Sequence, residues 1–216
     1  MKMNSYFSRT ILTLTIVLLG MGSLVSANAQ SKTAAAEFKR LKDLSTALGK
    51  IPPDKLDREP HKSLIKRNRK DITYSEPAGQ WFVRADRFWN LSKKYRSLAI
   101  ADDIAWAAAE APLPGECEGY VNCYIYNTEA TYVAYLKLYP KGRSSKKALN
   151  EIAANLTYIT DDITGKKGNY EGPADASDRA DLAKMIGEIR TVVSGVSHAE
   201  RAKVLSQLDI IGNAYK

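Results

Sequence analysis

Cysteine and histidine are scarce in this sequence of 216 residues, which contains two of each: Cys117, Cys123, His61 and His198. A structural zinc site needs about four ligands, and the two histidines are distant in sequence from the cysteines, so we predict no metal site. No cysteine precedes Cys117, which excludes a lipid-anchored export form with a cysteine at its cleavage point. Neighbouring residues suggest no serine or cysteine partner for either histidine, so we predict no catalytic residue and no cofactor.

Long apolar runs are also missing after the first thirty residues, and no later segment is predicted to cross a membrane. The start of the chain has the pattern of a secretory signal peptide. Lys2 and Arg9 precede the apolar run ILTLTIVLL, and Ala27 and Ala29 form a small-x-small cleavage site. We expect cleavage near Ala29/Gln30 and a periplasmic or secreted product; an uncleaved N-terminal anchor is the alternative. The predicted regions are the signal peptide (1–29), an N-terminal helical and basic extension (30–80) and a helical-repeat domain (81–216).

The two cysteines lie six positions apart in the turn-rich stretch LPGECEGYVNC, residues 113–123. Exported proteins meet an oxidising environment, and a loop of this size can be closed by a disulfide. A metal site would need more ligands, and a redox-active pair is more often spaced C-x-x-C. We therefore predict a Cys117–Cys123 disulfide that holds a loop in place.

Apolar residues recur with helical spacing from about residue 81 onward, and this pattern predicts an all-α protein. A helix at 33–48, a short basic helix near 60–70 and the extended stretch ITYSEPAGQ are predicted before it. Ser144 is a predicted N-cap, and the spacing of Ser197 and Glu200 predicts a capping box. The stripes comprise Phe88, Leu91, Tyr95 and Leu98; Ile100, Ile104, Ala107 and Ala111; Val133, Leu136 and Tyr139; Leu149, Ile152, Leu156, Ile159 and Ile163; Leu182, Ile186, Ile189 and Val193; and Val204, Leu208, Ile211 and Tyr215.

Two segments share one plan, an aromatic-rich helix followed by a break and an alanine-bearing helix: FWNLSKKYRSLAIADDIAWAAA and YVAYLKLYPKGRSSKKALNEIAAN. Tyr139-Pro140 would end the first helix of the second segment, and Ala148 would pack against that end. Over residues 132–156 the second segment resembles a tetratricopeptide-type helix pair of exported bacterial proteins. The resemblance implies antiparallel helix pairs stacked as a short α-solenoid or an irregular helical bundle. The two segments lie 44 residues apart at Tyr95 and Tyr139, whereas the usual repeat is about 34.

The charge is unevenly distributed along the chain. The formal net charge is +8, and removal of Lys2 and Arg9 with the signal peptide leaves 30 basic and 24 acidic residues. Residues 55–70 contain seven lysines and arginines against two acidic residues. Such a patch can attract anionic lipid or wall polymer, although a solvated helix explains it equally well. No base-stacking module accompanies it, so nucleic acid is not a predicted partner. The candidates for an anionic surface are Lys62, Lys66, Arg67, Arg69 and Lys70.

Tyrosines are concentrated beside the cysteine loop, with six of them between residues 120 and 139. Most tyrosines at helical spacing pack in a core, but these cannot all face one core, and exposed aromatic side chains favour recognition. The candidates for partner binding are Tyr124, Tyr126, Tyr132 and Tyr135.

Several carboxylates are also concentrated near the cysteine loop. Asp102 and Asp103 are best explained as stabilising a helix N-terminus. Acid–base catalysis or calcium binding is the alternative for the group, although the calcium-loop spacing is absent. We expect a non-enzymatic exported protein that binds another envelope or secreted protein. The alternatives are a wall-polysaccharide hydrolase that uses Glu110, Glu116 or Glu118, and an envelope-associated structural protein held by residues 55–70.

Overall fold

The structure is a computed structural model that describes residues 29–216. The predicted signal peptide therefore lies, apart from its last residue, outside the described residues. Helices predominate and the sheet has two strands, so the predicted all-α class is confirmed. None of the helices between residues 29 and 216 has the length and apolar character that a membrane crossing requires. The elements in chain order are α1 (29–49), a 3-10 turn (Pro53–Lys55), α2 (His61–Arg67), β1 (Ile72–Ser75), β2 (Gln80–Val83), α3 (Ala85–Lys94), α4 (Ile100–Ala109), α5 (Val121–Thr128), a π-helical segment (Glu129–Val133), α6 (Ala134–Leu138), α7 (Ser145–Gly165), α8 (Ala176–Ser194) and α9 (Glu200–Ala214).

The buried hydrophobic residues form two clusters that share helix α4. The first cluster contains residues of α1, α2, the two strands and α3, and the second contains residues of α5 to α9. Ile104 and Ala108 belong to the first cluster, whereas Ala105 and Ala109 belong to the second. Helix α4 is therefore buried on two sides, although its sequence predicted one apolar stripe. Small alanine side chains allow neighbouring helices to approach closely on both sides.

The N-terminal extension contributes directly to the first cluster. Leu41 and Leu48 of α1 are buried in it together with Phe88 of α3 and Ile104 of α4. The predicted boundary at residue 81 falls inside strand β2. The extension and the first helix pair therefore share one set of hydrophobic contacts.

Residues 72–83 form a β-hairpin, which corrects the prediction that helical structure begins near residue 81. The antiparallel strands pair Ile72 with Val83 and Ser75 with Gln80. Gly79 adopts a φ of 60° in the connecting turn, a conformation that glycine accepts without strain. Residues Trp81 to Val83 are aromatic or β-branched and so fit a strand as well as a helix. The extended structure predicted over the preceding stretch is confirmed for β1.

The C-terminal helices follow the predicted apolar stripes closely. Leu149, Ile152, Leu156 and Ile159 of α7 are all buried, and Ile163 is half-buried. Helix α7 packs against α9, which in turn packs against α8. Helix α6 ends at Leu138, two residues before the proline that was predicted to stop it.

Ser144 occupies the N-cap position of α7 as predicted, but its side chain makes no capping hydrogen bond. Helix α9 begins at Glu200 after Ala199, and no side chain caps it, so the predicted capping box is absent. The side chain of Asp175 instead caps α8 by accepting a hydrogen bond of 2.9 Å from the backbone N–H of Asp178.

We expect Asp175→Ala to lower the free energy of unfolding by about 1 kcal/mol, since it leaves the first turn of α8 without its capping acceptor. Ser144→Ala is the matched control, and it should change stability by less than about 0.5 kcal/mol because the serine side chain makes no cap. Urea denaturation of the two variants measures both values. Equal losses would contradict the capping role.

Candidate functional site

Tyr135 is a structural residue, which corrects its prediction as a partner-binding residue. Its side chain is fully buried, and its hydroxyl donates a hydrogen bond of 2.5 Å to Oδ1 of Asp102 in α4. The same hydroxyl oxygen accepts a hydrogen bond of 3.1 Å from the backbone N–H of Ser144. Burial, followed by the Asp102 carboxylate, raises the pKa of Tyr135, so the phenol keeps the proton that it donates.

The turn between α6 and α7 closes tightly around this hydrogen bond. The backbone N–H of Arg143 donates to Oδ2 of Asp102 at 2.9 Å, so one carboxylate accepts from both sides of the turn. A Cβ at Gly142 would overlap the Tyr135 hydroxyl and lie 2.8 Å from Cβ of Tyr139. Glycine is therefore required at this position, because the two tyrosine side chains lie too close to its backbone for a side chain to fit. Asp102 also lies in the first turn of α4, where it was predicted to stabilise the helix N-terminus.

Tyr132, another predicted partner-binding residue, is half-buried in an aromatic cluster. Its ring lies 5.8 Å from that of Trp106, which in turn makes an edge contact with Tyr135 at 5.3 Å. Burial, followed by the charges of Glu151 and Glu110, raises the pKa of Tyr132. Packing occupies much of this side chain, which leaves less of its surface for a partner.

The loop around the cysteines and the loop that follows α7 meet at one edge of the molecule. Cys117 and Cys123 form the predicted disulfide, and their sulfurs are 2.00 Å apart. The chain-entropy model assigns a loop of this length about 2 kcal/mol of stabilisation. The bond therefore holds the local shape of the loop, whereas the hydrophobic clusters hold the fold.

Backbone hydrogen bonds join the two loops into what we call the loop edge, residues 115–120 with 166–171. The N–H of Val121 donates to the carbonyl oxygen of Glu171, and the N–H of Glu171 donates to that of Gly119, both at 2.9 Å. Gly119 has a φ of 88°, and a Cβ there would lie 3.0 Å from the carbonyl oxygen of Asn169. The glycine thus permits both the turn and the close approach of the second loop.

The buried carboxylate of Asp162 anchors the second loop to the end of α7. Its Oδ1 accepts hydrogen bonds of 2.9 and 2.8 Å from the backbone and side-chain N–H groups of Asn169. Its Oδ2 accepts a longer bond of 3.3 Å from the backbone N–H of Tyr170. This arrangement fixes the Tyr170 ring against Tyr124, with the ring centres 5.3 Å apart.

One side of α5 faces a cleft of about 560 Å³, which we call the tyrosine cleft. Tyr158 is its most accessible wall, with 68% of its surface exposed. Tyr124 and Tyr170 are only partly exposed, because each packs against the other. The lining residues are Gly119, Tyr124, Tyr158, Asp161, Asp162, Lys167, Asn169 and Tyr170.

The other side of α5 faces a cleft of about 520 Å³, which we call the acidic cleft. Tyr126, with 59% of its surface exposed, belongs to this cleft and not to the first. Hydrogen bonding by the Asp178 carboxylate raises the pKa of Tyr120 to about 12. The lining residues are Tyr120, Asn122, Cys123, Tyr126, Glu129, Asp178, Asp181, Lys184, Met185 and Glu188.

The predicted anionic-surface residues are all exposed on α2 and the turn that follows it. Within residues 29–216, none of the five forms an ion pair with a carboxylate. The Arg69 guanidinium lies 4.4 Å from the centre of the Trp81 ring, which positions it beside the hairpin. The five side chains in question are Lys62, Lys66, Arg67, Arg69 and Lys70.

The carboxylates considered for hydrolysis do not form one group. Glu110 lies 2.6 Å from the ammonium nitrogen of Lys147. Glu116 and Glu118 are exposed and line a different hollow, together with Glu76 and Tyr74. Among the residues that the structure describes, no three His, Cys, Asp or Glu side chains are arranged to hold a metal ion. His61 is half-buried in α2 and His198 is exposed ahead of α9.

Comparisons with known protein families, with curated proteins and with solved structures found no match for the chain.

We expect Tyr135→Phe to lower the free energy of unfolding by about 1.5–3 kcal/mol, because it removes a hydrogen bond to a charged group. Tyr126→Phe makes the same chemical change on an exposed ring and should alter stability by less than about 0.5 kcal/mol. Denaturant titration of both variants measures the difference. A Tyr135→Phe variant as stable as the control would show that the Asp102 contact contributes nothing.

Proposed function

We propose that this chain is an exported, non-enzymatic protein that binds another envelope or secreted protein through the two clefts beside its loop edge. The observation that carries the proposal is the exposure of Tyr126 and Tyr158, which exceeds that of any other aromatic side chain in the described part of the chain. These two tyrosines belong to the two clefts on either side of α5, next to the disulfide loop.

Exposed tyrosines on a rigid support are well suited to protein recognition. A tyrosine side chain offers a large apolar ring and a polar hydroxyl, and it loses little conformational entropy on binding. The disulfide and the backbone hydrogen bonds between the loops hold both clefts in shape before a partner arrives. Such pre-organisation reduces the entropic cost of association.

The fold and the disulfide support the proposed architecture and location of the protein. The tight turn at Gly142 and the helices on either side of it support a tetratricopeptide-like helix pair. The disulfide is compatible with an oxidising compartment, and so with a periplasmic or secreted protein.

The proposal is tested by affinity capture from the cell envelope with a Tyr126→Ala/Tyr158→Ala double variant. Both side chains are exposed, so the variant should keep its thermal stability while capturing at least about tenfold less of the partner than the unmodified chain. The captured amount is measured by quantitative mass spectrometry after crosslinking.

Leu138→Ala is the matched control, because Leu138 is as exposed as Tyr126, at 59%, and lines neither cleft. It should capture the partner as well as the unmodified chain does. A partner retained equally by all three proteins would place the binding surface elsewhere, and the proposed role of the two clefts would be wrong.

A second candidate function is binding to an anionic surface through residues 55–70. The five exposed cations without ion-pair partners in the described region favour it. We expect binding to vesicles with anionic phospholipid that weakens steeply with added salt, and that falls at least about tenfold in a Lys66→Gln/Lys70→Gln variant. Vesicle sedimentation measures both effects. Binding that is insensitive to salt and to the variant would reject this function.

A further inference from the structure

The acidic cleft has more negative charge than its own chain neutralises. Glu129 and Glu188 share the ammonium group of Lys137, at 3.1 and 3.3 Å. Asp178 and Asp181 form no ion pair with any residue between 29 and 216, although both line the cleft. Lys184 also lines the cleft, so four carboxylates face the ammonium groups of Lys137 and Lys184. The cleft can therefore accept further cations.

A buried amide in the wall of the cleft lacks a hydrogen-bond donor. Asn122 is 92% buried, and its Nδ2 donates a hydrogen bond of 2.8 Å to the backbone carbonyl oxygen of Asp178. This bond sets the orientation of the amide. Its Oδ1 has no partner in the described region, whereas buried acceptors usually have one. This oxygen is covered by the wall of the cleft, so an N–H donor of a ligand reaches it only where the lining side chains move aside.

Tyr126 and Met185 give the same cleft apolar walls. Lysine and arginine side chains combine an apolar stem with a cationic head, so they can pack along such walls while the head reaches a carboxylate. An exposed tyrosine ring also attracts cations through its face. Both the charge and the shape of the cleft therefore favour a segment with several basic side chains.

The same chain carries such a segment at residues 55–70. Seven lysines and arginines against two acidic residues give it a net charge of +5. Its buried Ile65 belongs to the first hydrophobic cluster, whereas Met185 of α8, which lines the acidic cleft, packs against the second. Each surface is thus fixed in a different part of the molecule, and their charges are complementary.

We propose that the acidic cleft of one copy binds the basic segment of a second copy. The contact is head-to-tail, since each copy contributes a different surface, and a chain of copies either closes into a ring or continues as a filament. This inference goes beyond the proposed function. The two share Tyr126, but the tests below change only charged groups, whereas the partner test above changes only Tyr126 and Tyr158, so either inference can fail without the other.

The association is measured by analytical ultracentrifugation of the mature chain at ionic strengths of about 0.02 and 0.5 M. We expect the average mass to rise with protein concentration at low salt and to return to that of a monomer at high salt. A monomer at low salt over the whole concentration range would overturn the proposal.

Two variants then locate the contact. Asp181→Asn/Glu188→Gln neutralises the cleft, and Lys66→Gln/Lys70→Gln weakens the basic segment. Each variant alone should associate at least about tenfold more weakly than the unmodified chain. A mixture of the two should form one-to-one dimers and nothing larger, because each variant keeps the surface that the other lacks.

Asp43→Asn/Asp86→Asn is the matched control, because it changes the net charge by the same amount on α1 and α3, away from the cleft. It should associate as the unmodified chain does. Loss of association in this control, or no dimer in the mixture, would show that net charge and not the proposed contact governs association. The two surfaces also separate this inference from surface binding: the cleft variant should lose self-association and keep binding to anionic vesicles.

Discussion

The hydrogen bond between Tyr135 and Asp102 joins α6 to α4, the helix that both hydrophobic clusters share. The same carboxylate also accepts the N–H of Arg143 in the turn to α7. A carboxylate that accepts two hydrogen bonds stabilises a fold more than a neutral hydrogen-bonded pair does, particularly where water is largely excluded. The absence of a side chain at Gly142 lets the turn close around the hydroxyl.

The loop edge depends on this arrangement, because α5 and α7 support it. Tyr124 and Tyr126 are two positions apart on α5, a separation that places side chains on opposite sides of a helix. One side opens toward the rings of Tyr158 and Tyr170, and the other toward the carboxylates of α8. A single short helix thus presents two surfaces of different chemistry, one aromatic and one anionic.

Much of this architecture follows from local patterns in the sequence. The apolar stripe through Leu149 and Ile159 predicts α7 correctly, and the spacing of the two cysteines predicts the disulfide. Local patterns fail where the decisive partner is distant. Nothing near Tyr135 shows that Asp102, 33 residues earlier, accepts a hydrogen bond from its hydroxyl, so the local sequence predicts a recognition residue where the structure has a buried one. The hairpin was missed because Trp81 to Val83 suit either kind of element.

In the candidate site too, neighbouring residues predict the local features but not the contacts between residues that are distant in sequence. The sequence indicates both loops through their glycines and prolines, but not that the N–H of Glu171 donates a hydrogen bond to Gly119 across about fifty intervening residues. The sequence also concentrates tyrosines near the cysteines, but it does not show which of them are buried and which are exposed. That difference depends on how the helices pack. Tyr158, the most exposed tyrosine in the described part of the chain, lies outside residues 120–139.

Helix α4 contributes Ile104 and Ala108 to one hydrophobic cluster, and Ala105 and Ala109 to the other. A larger side chain at either Ala105 or Ala109 would push α4 away from the second cluster. Because α4 also packs in the first cluster, its displacement would disturb the packing of both. The two clusters are consequently coupled in unfolding: an opening that frees α4 from one of them weakens the other. This shared wall makes the described part of the chain behave as one cooperative unit, and it confines tolerance to mutation to the positions of α4 that face solvent.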